Sequence, residues 1–177
     1  MDKRKFFIDF NRTADHSIDY FMGMLSDSRI TTLTTIKDMT IEELDWQFRP
    51  GWNTIGSLLS HIIALEYYFR IEFVEGRKLT VEEEKKWLPA LDLGQHVPAL
   101  IRSLPIEFYL SAFVESRSLF LDTFKKIDFD SFTRRIEGYN PQEGCNMAWV
   151  LYHMIEDEIR HRGQISLLHK AYKEIMH

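Results

Sequence analysis

Apolar residues recur at three- and four-residue intervals through most of this chain, and the two-residue alternation of a strand is scarce. Each such stripe gives a helix one face to bury, so the segments must pack on one another and the expected fold class is all-α. Four segments are long. The first runs from Lys3 to Asp27, with Phe7, Phe10, Ile18, Phe21 and Met22 at helical spacing. The second opens at Asn53 or Thr54, either of which can cap it, and continues to about Val74. Its buried side is expected to carry Ile55, Leu58, Leu59, Ile62, Leu65, Glu66, Phe69 and Phe73. The third has Pro105 in its first turn, where a missing N–H costs little, and ends around Ile127. The fourth begins near Cys145, after Pro141 and Gly144, and lasts to about Lys173.

Four helices of this length predict a four-helix bundle within one domain, residues 1–177. About 28 residues separate the second helix from the third, enough for a crossover. A Thr80–Glu83 capping box opens a short helix there through Trp87, and Pro89, Gly94 and Pro98 mark loop. An earlier box, Thr40–Glu43, opens another short helix before the break at Arg49-Pro50-Gly51.

The 177 residues suffice for one sizeable core, and thirteen Phe, seven Tyr and four Trp supply the bulk to fill it. The formal charge of −5 argues against a nucleic-acid backbone as partner, which needs clustered Lys and Arg. Cys145 is the only cysteine, so no internal disulfide forms and a reducing compartment fits. The start, MDKRKFFIDF, lacks a leader pattern, and no apolar run approaches the ~20 residues of a membrane helix. The expected location is the cytoplasm, away from membranes.

One stretch breaks the rule that a helix hides its apolar face. In HMIEDEIRHRGQI, residues 153–165, the inward face carries His153, Asp157, His161 and Gln164 within an arc of about 80°, flanked by Val150, Met154, Ile165 and Leu168. Buried imidazoles and carboxylates must be paired, and a metal ion would pair them together. Rise along the helix limits the combinations. His153 and His161 start roughly 12 Å apart, whereas two donors on one ion are at most about 4.2 Å apart. The i,i+4 pairs remain, His153 with Asp157 or Asp157 with His161. His61, beside the apolar stripe of the second helix, is the natural third donor. A set of two histidines and one carboxylate suits a divalent transition metal and leaves positions open. The bland reading is an ordinary Asp–His helix pair beside a hydrogen-bonded packing histidine.

The segments G-W-N-T-I-G-S-L-L-S-H-I (51–62) and H-x3-D-E-x2-H-R-G-Q-I (153–165) together resemble the DinB-like family. The resemblance implies a four-helix bundle, often dimeric, with one metal ligand from the second helix and two from the fourth, spaced by four. Carried onto this chain, those positions are His61, Asp157 and His161; the family more often has His where this chain has Asp157. The implied ion is zinc or nickel, with manganese or iron as alternatives. His153, one turn outside that set, becomes a cavity or supporting residue. Some relatives are thiol-dependent transferases, which implies a low-molecular-weight thiol such as bacillithiol as co-substrate and a small electrophile as acceptor. No catalytic side chain is assigned. The competing reading is a non-catalytic bundle with a structural or regulatory polar core.

Other residues carry secondary expectations. Glu158 could orient a ligand or move a proton, and Glu66 could support a ligand or form a buried salt bridge. Gln164 is expected to hydrogen-bond within the polar stripe. Cys145 is read mainly as packing, Arg160 and Arg162 as a solvated face, and Trp52 as a staple before the second helix. Gly163 in mid-helix would permit close approach of another helix or subunit, in keeping with a homodimer.

Overall fold

Local signals in the connections fix where the helices start, and the computed structural model describes residues 16–136 and 144–176. Thr40 and Glu43 form a complete capping box on α2 (Ile41–Asp45). Thr54 caps α3 (Ile55–Phe69) by accepting from the Ser57 N–H, and a second complete box, Thr80 with Glu83, opens α4 (Val81–Leu91). Asn146 Oδ1 accepts the Trp149 N–H at the start of the thirty-residue α8 (Met147–Met176). The remaining helices are α1 (His16–Ile36), α5 (Val97–Leu100), α6 (Ile106–Phe124) and α7 (Phe129–Thr133). Among the described residues there is no strand, only an isolated antiparallel bridge between Ile136 and Cys145. None of the described helices is long and apolar enough to cross a membrane.

Several boundaries differ from the sequence reading. The first helix does not end at Asp27 but continues to Ile36 through a threonine-rich run. The hydroxyls of Thr31, Thr32, Thr34 and Thr35 donate to the carbonyls four residues back at 2.8–3.1 Å, so these side chains serve the helix instead of competing with it. Phe7 and Phe10 lie outside the described residues, as does Pro141. The second helix reaches Val74, but its last stretch, Arg70–Val74, is a π-helical turn. The third ends at Phe124, with Pro105 at its N-cap, and the fourth extends to Met176. The short helix α4 passes Trp87 and carries Pro89 inside it. Tyr67 stacks on Trp87 at 4.0 Å, and Ala90 is buried, so packing against α3 holds the turn that proline weakens.

The four long helices α1, α3, α6 and α8 form the bundle. Ile36 shares one core cluster with Ile165 and Leu168, while Leu25 shares the other with Leu151 and Met154, so α1 and α8 run parallel. The helices α3 and α6 both enter at the first cluster, with Leu58 and Tyr109, and leave at the second, with Phe69 and Phe120. They are therefore parallel to each other and antiparallel to the first pair. Parallel neighbours cannot be joined by a tight turn, which is why residues 75–105 form a crossover carrying α4 and α5. Gly56 lets α6 approach α3: a Cβ there would lie 2.6 Å from the Tyr109 hydroxyl. Gly163 has no such role within the chain, because a Cβ would meet nothing within 4 Å.

The bundle interior is not wholly apolar. Arg29 of α1, Glu66 of α3, Arg117 of α6 and Glu158 of α8 meet there, each 8% exposed or less. Arg29 bonds Glu158 Oε1 at 3.0 Å and Glu66 Oε2 at 3.2 Å, and Arg117 bonds Glu158 Oε2 at 3.3 Å and Glu66 Oε1. Arg29 Nη1 also donates to Phe113 O and Arg117 Nη1 to Leu25 O. Burial opposes ionisation of Glu66, but Arg117 and Arg29 together hold its carboxyl below the ordinary glutamate value.

Removing one member leaves an uncompensated buried charge. Glu158→Ala is expected to lower the unfolding free energy by about 3–5 kcal/mol, measured by urea denaturation. A loss below about 1 kcal/mol would show that the quartet does not hold the bundle. Acid should act on the same interior. Burial pushes the Glu43 carboxyl up, but bonds from Lys173, Thr40 N–H and His169 bring it down to about 2. Glu43 and Glu66 are both depressed in the folded state. Their contribution is thus present above the ordinary value of about 4.5 and lost as pH falls below it. The melting temperature should be flat from pH 7 to about 5 and decline below that. A melting temperature unchanged at about pH 3 would contradict this assignment.

Candidate metal centre

Antiparallel packing of α3 against α8 sets His61 opposite His161, their ring centroids 5.0 Å apart and nearly perpendicular. Asp157, one turn before His161, reaches between them. Its Oδ1 lies 3.1 Å from His161 Nε2 and its Oδ2 3.4 Å from His61 Nε2. All three side chains are buried, and one donor atom from each lies within 4.8 Å of the others. Both His–Asp edges fall inside the ~4.2 Å that two ligands of one ion can span.

The other ring nitrogen of each histidine fixes how it presents itself. His61 Nδ1 is 2.8 Å from Ala90 O, and a carbonyl only accepts, so Nδ1 carries the proton. That carbonyl sits in the last turn of α4, where no further helical N–H can claim it. His161 Nδ1 is 2.7 Å from Gln164 Oε1, one turn further along α8. With both protons on Nδ1, the two Nε2 atoms of neutral imidazoles point lone pairs at a carboxylate. Asp157 Oδ2 is buried and accepts no hydrogen bond. Three electron-rich atoms converging away from water need a cation or protons between them. A divalent ion answers this arrangement, and two imidazoles with one carboxylate are a competent ligand set for it. Burial works against charge on both partners here. Where protons on Nε2 take the place of an ion, His161 and His61 hold the Asp157 carboxyl below its ordinary range, and Asp157 raises His161.

The other candidates separate by position. Gln164 supports His161 directly. Glu66 and Glu158 belong to the arginine quartet, bonded to Arg29 and Arg117, and Glu66 also accepts from the Ser116 hydroxyl. His153 stacks on Trp149 at 4.8 Å, meets Phe69 edge-on and lies 3.6 Å from Glu156 Oε2; it is not one of the three converging groups. Cys145 is half-buried, and burial raises its thiol rather than activating it. Arg160 is exposed and pairs with Glu156, while Arg162 donates to Ser28 O. Trp52 is exposed against Phe48. Ala90, which orients His61, escapes sequence reasoning because its contribution is a backbone carbonyl. Leu93, three residues on, holds a left-handed φ of 37° that costs about 1–2 kcal/mol. Its side chain packs on the first core cluster, which fixes the end of α4 nearby.

Two solved structures share the architecture. One, a DinB-like protein from Bacillus cereus ATCC 10987, superposes with a TM-score of 0.65 at 16% identity over 88% of this chain and 93% of that one. The other, a conserved protein from Enterococcus faecalis, gives 0.68 at 16% identity over 90% and 97%. No curated protein matches the sequence. The model of the DinB superfamily matches residues 24–165, from mid-α1 through the HRGQI end of the polar stripe. It takes in α3 and α6 entire and most of α1 and α8, and the chain belongs to that superfamily.

Proposed function

We propose that the protein binds one divalent transition metal through His61, Asp157 and His161 and acts as a metal-dependent transferase of a low-molecular-weight thiol. The observation that carries the metal is Asp157 Oδ2, buried without a hydrogen bond and facing one of two inward-pointing imidazole nitrogens. Zinc or nickel suits this donor set best, with manganese or iron also within its range. The thiol chemistry rests on family membership. When bound, the ion is a Lewis acid able to hold a thiol in its nucleophilic, deprotonated form.

The chain's own residues do the positioning. Ala90 O and Gln164 lock the two rings so that each Nε2 faces inward. Asp157 supplies one negative charge, and the packed walls of α3 and α8 restrict water. In the transfer, the thiol sulfur bonds to an electrophilic carbon, the leaving group departs with the electron pair of its broken bond, and the thiol proton passes to solvent. A second reading is favoured by one observation: all three ligands are 8% exposed or less, as a structural metal site would be. A homodimer is also part of the proposal. Tyr152, Ile159 and Leu167 line the outer side of α8 around Gly163, and sedimentation at micromolar concentration should show twice the monomer mass.

Protein purified without a histidine tag is expected to hold one metal per chain by elemental analysis, and the His61→Ala, His161→Ala double variant none. Unchanged stoichiometry in that variant excludes the triad. Gln164→Leu should weaken metal binding roughly tenfold while leaving the fold intact. Cobalt-substituted protein separates the two readings. Bacillithiol, cysteine or glutathione should produce a thiolate-to-metal charge-transfer band between about pH 6 and 9, around the free thiol value of about 8.5. If none of them perturbs the spectrum, the transferase reading fails and the structural one stands.

A further inference from the structure

The metal centre leaves unused a cleft of about 460 Å³ at the far end of the bundle. Phe73 is twelve residues beyond His61, about 18 Å along α3, and Met147 ten residues before Asp157, about 15 Å along α8. The apolar wall is Phe73, Val74, Ile127, Ile136 and Met147. Phe73 and Val74 arrive there on the π-helical turn that ends α3, a distortion that recurs at functional sites. The volume lies within the range of small-molecule pockets.

Among the described lining residues, two cations face one carboxylate. Lys126 and Arg134 line it, and neither makes an ion pair with a described residue. Glu75 also lines it, but its carboxylate is already held by Arg70 and Arg77. Asp128 feels the charge of Arg134, yet it caps α7 by accepting the Ser131 N–H at 2.7 Å. The N-terminus of α8 at Met147 adds the positive end of a thirty-residue helix in the same place. Apolar walls with two cations and a helix N-terminus complement one kind of ligand. We propose that this cleft binds a small amphipathic anion, a monocarboxylate on a hydrocarbon or aryl body. The carboxylate meets Lys126 and Arg134, and the body lies against Phe73, Val74 and Met147.

Octanoate titrated into the full chain tests this by calorimetry and by amide NMR shifts. Shifts are expected at Val74, Thr123 and Met147. The Lys126→Gln, Arg134→Gln double variant should bind about tenfold more weakly or worse, since charge-assisted bonds to a carboxylate are lost. Thr123→Trp, which fills the cleft from α6, should abolish binding with the melting temperature retained. His61→Ala should leave it unchanged, which keeps this site independent of the metal. Undiminished octanoate binding in the double variant overturns the proposal. So does octanol or inorganic phosphate binding as tightly as octanoate, because one lacks the charge and the other the apolar body.

Discussion

Two arginines and two glutamates, one from each long helix, meet inside this bundle where hydrocarbon would ordinarily be. Taking four charges out of water is costly, and their attraction offsets that cost only if the geometry is good and every remaining N–H is bonded. Here Phe113 O and Leu25 O each take a further N–H beyond those bonded to the carboxylates. A one-residue slip of any helix would move a charge out of reach of both partners. The quartet therefore favours a single register among the four helices, a specification that interchangeable leucines and phenylalanines do not supply. It also crosses from α1 to α6 through those carbonyl bonds, closing the ring of helices.

That register places the candidate metal centre. Glu158 turns into the quartet, and its neighbour Asp157 turns toward α3 and meets His61. The centre then depends on α4, which lies outside the four-helix core. Tyr67 stacked on Trp87, buried Ala90 and strained Leu93 hold the end of α4 where Ala90 O receives the His61 proton. The crossover demanded by parallel α3 and α6 thus also orients a ligand of the site.

Much of this is written locally. Thr40, Thr54 and Thr80 mark helix starts because a cap is an interaction between residues three apart. His153, Asp157, His161 and Gln164 share a face through helical geometry alone. The threonine run after Asp27 is ambiguous in sequence because Thr favours helix and connection by the same kind of hydrogen bond, and burial of Leu25 and Ile36 on either side decides for helix. Glu66 could be recognised as inward-facing and Glu158, off the polar stripe, could not; the arginine partners of both lie on other helices, 37 to 129 residues away.

The sequence by itself determined the class of fold, the capped starts at Thr40, Thr54 and Thr80, and the shared face of Asp157 and His161, because each follows from spacing within one or two turns. Tertiary structure alone decided which of those groups meet. His153 lies as close to Asp157 along α8 as His161 does, yet α3 runs antiparallel to α8 and brings its one histidine level with His161 and its Phe69 level with His153. The partner of a side chain across helices depends on register and direction, and these are set by the packing of the whole core.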